Sequence, residues 1–246
     1  MSEIIKTEAV VLSKMDYRDS SNILSLYTKD FGRISVIHKG ARSPKSKKGF
    51  IAEPLNHLQI IIYKKDSREL QLLSSADLIS HFPRIKEGLD KLKYSLAILE
   101  LIKKLTPENE TNIRLFNGLI RILFLMNSSN ESSKITFGRF FLFFLKDIGY
   151  EIQLNKCKSC QNNLMNGDSL GYNFELGIFC SRCLGNFRID FKLSQELFNY
   201  LICLKQNKNT DSFMSFTADR AIIFMERHLK FHIPDFKGII SFHTIK

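Results

Sequence analysis

The chain has 246 residues, 44% of them hydrophobic and 25% charged, and a formal net charge of +11. That length suits one real core or two to three small ones. No apolar stretch reaches a membrane span, because GLIRILFLM contains Arg121 and FFLFFL is too short. MSEIIKTEAVVLSK has acidic residues early and no basic head before a long apolar run. It lacks the form of a signal peptide, so a cytoplasmic address is expected. The charge excess points to a polyanionic partner, nucleic acid or an anionic surface. The bland alternative is mutational drift, since Lys outnumbers Arg 24 to 12.

Residues 1–80 read as strands. TEAVVLS, SNILSLYT, RISVIHK, LNHLQIIIYK and ELQLLSSADL are short, β-branched and partly alternating. KDFGR places Gly32 in a turn between the second and third, where positive φ is needed, and KKDSRE closes another hairpin. Five such strands suit a small closed barrel of the OB type, and an SH3-like barrel meets the same pattern. From Pro83 the period changes. Leu89, Leu92, Leu96 and Leu99 predict a helix with one buried stripe. NIRLFNGLIRILFLM and KITFGRFFLFFLKDIG are apolar on most faces and predict buried helices, separated by the polar SSNESS. GDSLGYNFELGIF reads as a small hairpin. Two further amphipathic helices follow, one carrying Leu197, Tyr200, Leu201 and Leu204, the other Ala218, Ile222, Met225 and Leu229. The expected class is therefore α+β: a barrel over 1–80, a helical domain over 81–150 and 191–246, and a cysteine-bearing insertion over 151–190.

That insertion holds Cys157-Lys-Ser-Cys160 and Cys180-Ser-Arg-Cys183. Two residues between cysteines let both thiolates face one point, and two such knuckles complete a tetrahedron around zinc. Two disulfides or four idle thiols are the alternatives, which a reducing compartment and the matched pairing disfavour. Four thiolates leave no position for water, and no histidine lies between 157 and 183, so one structural Zn²⁺ is expected rather than a catalytic one. Lys156, Lys158, Arg182 and Arg188 extend a nucleic-acid footprint or form a solvated rim around the thiolates. Cys203, on an apolar stripe, reads as a core residue.

Between the third and fourth strands lies KGARSPKSKKGF. Residues 1–80 carry 13 positive and 9 negative charges, and without residues 39–48 they carry 8 and 9. One loop thus supplies the whole excess, where drift would spread it. Like charges in a loop gain nothing for folding, whereas phosphates neutralise them and release counterions. Lys39, Arg42, Lys45, Lys47 and Lys48 are the candidate phosphate contacts. Tyr17, Tyr27, Phe31, Phe50 and Tyr63 are candidate rings for stacking bases, each also readable as core or rim. A Lys-rich loop favours binding without base reading. No phosphate loop, HExxH or GxSxG motif occurs, and the acidic residues are scattered, so a binding protein is expected rather than an enzyme. His228 and His232 read as surface or cap residues rather than ligands.

The order of barrel, helices, four-cysteine insertion and final helices resembles the bacterial DNA repair protein RecO family. The stretches carrying this are SNILSLYTKDFGRISVIHKGARSPKSK with PLNHLQIIIY, RFFLFFLKDIGY, and CKSC…CSRC. The resemblance implies a recombination mediator with an N-terminal OB fold, a helical domain and a zinc element. It implies binding of single- and double-stranded DNA, annealing of strands coated with single-strand-binding protein, and assistance with RecR in RecA loading, near the nucleoid. DNA binding would fall on Lys39, Arg42, Lys45, Lys47 and Lys48, and zinc on Cys157, Cys160, Cys180 and Cys183. Gln161 follows the first pair where many relatives have Gly. Relatives also bind the acidic, Phe-ending tail of single-strand-binding protein. Arg139, set among Phe137, Phe140, Phe141, Phe143 and Phe144, is the candidate cation, or else an ordinary helix-surface arginine. A zinc-containing RNA-binding factor of translation or transcription is the alternative reading, and a metal nuclease with a dispersed site is a third.

Overall fold

The computed structural model describes residues 3–42, 48–65, 67–164 and 170–244. The chain divides into two compact units, Met1–Asn130 with Ile239–Lys246 (unit 1) and Glu131–Gly238 (unit 2).

Unit 1 begins with five strands: β1 (Glu3–Tyr17), β2 (Ser21–Thr28), β3 (Gly32–His38), β4 (His57–Lys64) and β5 (Leu70–Ser80). Their order, β1-β2-β3-β5-β4, closes because the long β1 pairs with both β2 and β4. The seam between β3 and β5 is parallel and short, joining residues 35–37 to 70–72. This is an OB-like barrel. Its interior follows from side-chain alternation along each strand: Ala9, Val11, Leu24, Leu26, Ile34, Val36, Leu58, Ile60, Ile62 and Leu73 form one buried cluster. A bulge between Val11 and Ser13 shifts the register of β1. Val10 and Leu12, on the strand's other face, are buried too, because a helix packs against the outside of β1. The short helix α1 (Lys48–Ile51) leads to Ala52, which plugs the barrel core. Fully buried Asn56 fixes it, donating to the carbonyls of Phe50 (2.8 Å) and Ile51 (3.1 Å).

The helices α2 (Pro83–Glu87), α3 (Leu89–Leu105) and α4 (Ile113–Ser128) complete most of unit 1. Pro83 opens α2 at a position where its missing N–H costs nothing, and Asn112 caps α4 by accepting from the Leu115 amide at 2.8 Å. The stripe predicted for α3 is corrected in part. Leu99 is buried, but Leu89 is 68% exposed, Leu92 and Leu96 are half-buried, and the packed face also takes Tyr94, Ala97, Ile98, Leu101 and Ile102. Neighbours on several sides, α2, α4, β1 and β2, select that broader face. α4 is not buried all round either: Leu115, Leu119, Ile122, Leu123 and Met126 face inward, while Ile113, Phe124 and Leu125 are exposed. The segment from α3 to α4 grips the β2–β3 turn. Arg33 Nε donates to the Thr106 carbonyl (3.1 Å), its guanidinium meets Glu108 (2.7 Å), and the Asn109 amide donates to the Arg33 carbonyl (2.9 Å). Gly32 sits under this clasp at φ +61°, and a Cβ there would collide with the carbonyl of Glu110.

Unit 2 contains α5 (Ser133–Asp147), a three-stranded sheet of β6 (Leu170–Asn173), β7 (Gly177–Phe179) and β8 (Phe191–Leu193), and the helices α6 (Gln195–Lys205) and α7 (Ser215–His232). The predicted hairpin is β6–β7, and β8 adds to the free edge of β6. α5, α6 and α7 pack against one another around Phe137, Phe140, Phe141 and Phe144. A second aromatic group joins Tyr172, Phe174, Phe191 and Phe224 with His228. His228 is corrected from surface to core: its Nε2 lies 3.1 Å from the Tyr150 carbonyl, and burial, with the charge of His232, lowers it to about 4, so it is neutral. Cys203 is half-buried. The chain then returns to unit 1 with α8 (Ser241–Thr244), which docks on α3. No helix among the described residues is long and apolar enough to cross a membrane.

Candidate metal centre and nucleic-acid interface

The structure brings Cys157, Cys160, Cys180 and Cys183 together, with all four sulfurs within 4.8 Å of one another. The Cys160 and Cys180 sulfurs are 3.8 Å apart, near the edge of about 3.8 Å for a tetrahedron of sulfurs each about 2.3 Å from a central zinc. All four are free thiols. Each knuckle is a tight turn held by its own backbone. The Gln161 amide donates to the Cys157 carbonyl (3.0 Å), and the amides of Cys183 and Leu184 donate to the Cys180 carbonyl (3.0 and 3.1 Å). Gln161 adopts φ +59°, the left-handed conformation that glycine takes without strain, and its Nε2 donates to the Lys158 carbonyl at 3.1 Å. The turn therefore keeps its shape without glycine. Phe179, Leu164, Leu184 and Ile189 form an apolar sheath around the sulfurs.

The electrostatics of the group fit a cation. Burial disfavours a thiolate at Cys157, but the amides of Cys160, Cys180 and Ser159 outweigh it and lower that thiol to about 6. At Cys183 the Ser159 hydroxyl favours the thiolate, yet burial and the sulfurs of Cys180, Cys157 and Cys160 push it up to about 11. Four sulfurs crowded in this way ionise together only around a positive ion. The donor amides and Ser159 escape a reading of cysteine spacing, because they depend on how the backbone folds around the sulfur. Lys156, Lys158, Arg182 and Arg188 are all exposed, and Arg188 meets Asp190 at 3.2 Å.

In unit 1 the cation run begins where β3 ends. Lys39 is exposed, Gly40 turns the chain at φ +68°, and buried Ala41 anchors it. The Arg42 amide donates to the Ser20 carbonyl (3.0 Å), its guanidinium donates to the Arg18 carbonyl (3.2 Å), and it lies 3.5 Å from Asp16. The foot of the loop is thus tied to the β1–β2 turn, and Arg42 already has a weak carboxylate partner. Lys45 and Lys47 lie outside the described residues, as does the Lys48 side chain. The five candidate rings separate by environment. Tyr27 is buried, Tyr63 is half-buried, Phe31 lies under the Lys64 ammonium (5.5 Å) and Tyr17 under the Arg18 guanidinium (5.1 Å), while Phe50 is exposed.

Arg139 is half-buried on α5. It binds both carboxylate oxygens of Glu131 (2.7 and 2.6 Å) and donates to the Lys208 carbonyl (2.9 Å). Phe137, Phe140, Phe141 and Phe144 are buried in the core. A cavity of about 240 Å³ opens beside Arg139, lined by Leu142, Phe143, Ile152 and Leu204, with Lys146 and Lys205 at its edge. Lys205 is paired with Glu151 at 2.9 Å.

Comparison with known families is consistent along the chain. Residues 1–82 match the family described as Recombination protein O N terminal, and residues 86–223 match Recombination protein O C terminal. The DNA repair protein RecO of Alkaliphilus metalliredigens is 31% identical over 202 residues, 81% of each chain. The DNA repair proteins RecO of Chlorobium limicola and Chlorobium phaeobacteroides are 34% and 33% identical over 154 and 162 residues, 63% and 66% of this chain. The chain covers 59% and 62% of the length of those two proteins.

Proposed function

Because the chain belongs to the recombination protein O family, we propose that it is a DNA repair and recombination mediator. It binds DNA without reading sequence, anneals complementary strands, and with RecR assists RecA loading onto DNA coated with single-strand-binding protein. It acts without bond-making chemistry of its own, in the cytoplasm near the nucleoid. The observation that carries this reading is the placement of the densest cation run, residues 39–48, on the connection from β3 to α1 of an OB-like barrel. Lys39, Arg42, Lys45, Lys47 and Lys48 neutralise phosphates, and screening repulsion between two strands lets complementary bases meet. Arg42 contributes least, since Asp16 already faces it.

In this reading the four cysteines hold one Zn²⁺ whose role is structural, since four thiolates fill its coordination sphere. The cavity beside Arg139 receives the tail of single-strand-binding protein. Phe143, Leu142, Ile152 and Leu204 supply an apolar seat, and Arg139, Lys146 and Lys205 supply cations that exchange Glu131 and Glu151 for the tail's carboxylates.

The test is annealing of complementary strands precoated with single-strand-binding protein, with and without RecR. K45A/K47A/K48A should slow it, weaken binding across sequences and flatten the salt dependence by about one unit per lost contact. An unchanged salt slope would remove the loop from the site. Stronger binding to RNA than to DNA of equal length, without annealing, would favour the RNA-binding alternative. Cleavage of labelled DNA on prolonged incubation with Mg²⁺ or Mn²⁺ would favour a nuclease.

A further inference from the structure

We propose that Phe50 is a base-stacking platform on unit 1 that takes one nucleobase of a single-stranded nucleic acid; the inference rests on the DNA-binding reading and names where the base sits. Of the rings on the barrel strands and α1 that the cation run suggests, Phe50 is the one left open, at 56% exposure. A ring left that open keeps a flat π face free for a stacking partner. Its mounting is rigid. The Phe50 carbonyl accepts from the buried Asn56 side chain, whose own oxygen accepts from Lys86 Nζ at 2.7 Å. That ammonium also lies 5.8 Å from the centre of the Phe50 ring, and the exposed His81 ring is tilted beside it at 6.0 Å.

The group therefore combines an open π face, a second ring and a cation, and Phe50 itself closely follows five further cations in the chain. That combination matches a single strand, which offers a base to stack and a phosphate to neutralise at each step. A duplex keeps its bases stacked internally and has no free face to give. Lys86 feels the Glu53 carboxylate, but that carboxylate is shared with Lys14, which meets it at 2.6 Å. A purely apolar partner would be poorly served here, because the patch is rimmed by Lys86 and His81.

The chain contains no tryptophan, so F50W places a single indole at the site. A homothymidine oligonucleotide should quench its fluorescence on titration, while a sugar-phosphate oligomer of equal length without bases should bind through its phosphates and leave the indole bright. By anisotropy of labelled oligonucleotide, F50A and F50L should each weaken homothymidine binding by about tenfold and leave the salt slope unchanged, since no phosphate contact is lost. F50L keeps the apolar bulk and guards against a folding defect, and F50W should restore affinity. Wild-type affinity in F50A with an unquenched indole at saturation would overturn the platform and leave the DNA-binding reading standing. Equal quenching by the base-free oligomer would also overturn it. A wild-type chain that binds neither oligomer would overturn the function proposal and this one together.

Discussion

Glu100 on α3 is the hinge-pin of the C-terminal segment, and replacing it tests how that segment is held. Its carboxylate accepts from the amides of Ile240 and Ser241 (both 2.8 Å) and from the Ser241 hydroxyl (2.6 Å), and it meets Lys104 at 2.6 Å. It thereby caps α8 from a distant part of the sequence, with only 11% of its side chain exposed. In E100Q one oxygen becomes an amide nitrogen that faces donors. If the remaining oxygen serves Ser241, the Ile240 amide and Lys104 lose their acceptor. A hydrogen bond to a charged group is worth about 1.5–3 kcal/mol. The Lys104 pair, partly exposed, adds less than about 1 kcal/mol. The expected loss in docking of residues 239–244 is about 2–3 kcal/mol, or roughly 30- to 150-fold in the opening equilibrium. Amide hydrogen exchange at Ile240 and Ser241 reads this directly. Burial alone would raise the Glu100 carboxyl, but Lys104, the Ser241 hydroxyl and the two amides outweigh it and hold it below the usual 4.5. A group whose folded value is depressed stabilises above its unfolded value, and the effect is lost as pH falls through the folded one. Protection should therefore hold above about pH 4.5, fall below it, and become insensitive to pH over that range in E100Q. Unchanged exchange in E100Q at neutral pH would refute the capping argument.

Two other outcomes follow from geometry. Purified protein should contain close to one equivalent of zinc, and C157S or C180S should lose it together with exchange protection in β6–β8 while β1–β5 stay protected; a metal-free chain with β6–β8 intact would restore the idle-thiol reading. G32A should lower stability by about 3 kcal/mol, since the left-handed backbone costs about 1–2 kcal/mol and the Glu110 carbonyl must move, loosening the Asn109–Arg33 hydrogen bond; a thermal midpoint within a degree of wild type would contradict it.

The strands were legible where one face alone is buried. β3 alternates strictly, and its inward set Ile34 and Val36 is what a period of two selects. β1 was read as TEAVVLS, its buried middle; the ends Glu3–Lys6 and Lys14–Tyr17 are largely exposed and are strand because they pair with β4 and β2. The leucine stripe of α3 misled at Leu89, Leu92 and Leu96, though Leu99 is buried: helical spacing says which residues share a face, not which face meets a neighbour. β8, three residues long, exists through pairing with β6 and has no signal of its own. Of the site, the cysteine quartet was legible, because each Cys-x-x-Cys pair turns two thiols the same way and the fold brings the two pairs together. The amides that lower Cys157 were not. The cation run was legible as charge, yet Arg42's partner Asp16 is reached only when the β1–β2 turn folds beside it.

The return of the chain from unit 2 to α8 has a consequence for synthesis. Unit 2 is an insertion in the linear order of unit 1, so Glu100 has no partner for its carboxylate's main-chain bonds until the whole cysteine-bearing segment has left the ribosome. A nascent barrel is thus completed last at its helical edge, after the intervening helices exist. Removing residues from Ile239 onward would accordingly injure the half of the molecule that was made first.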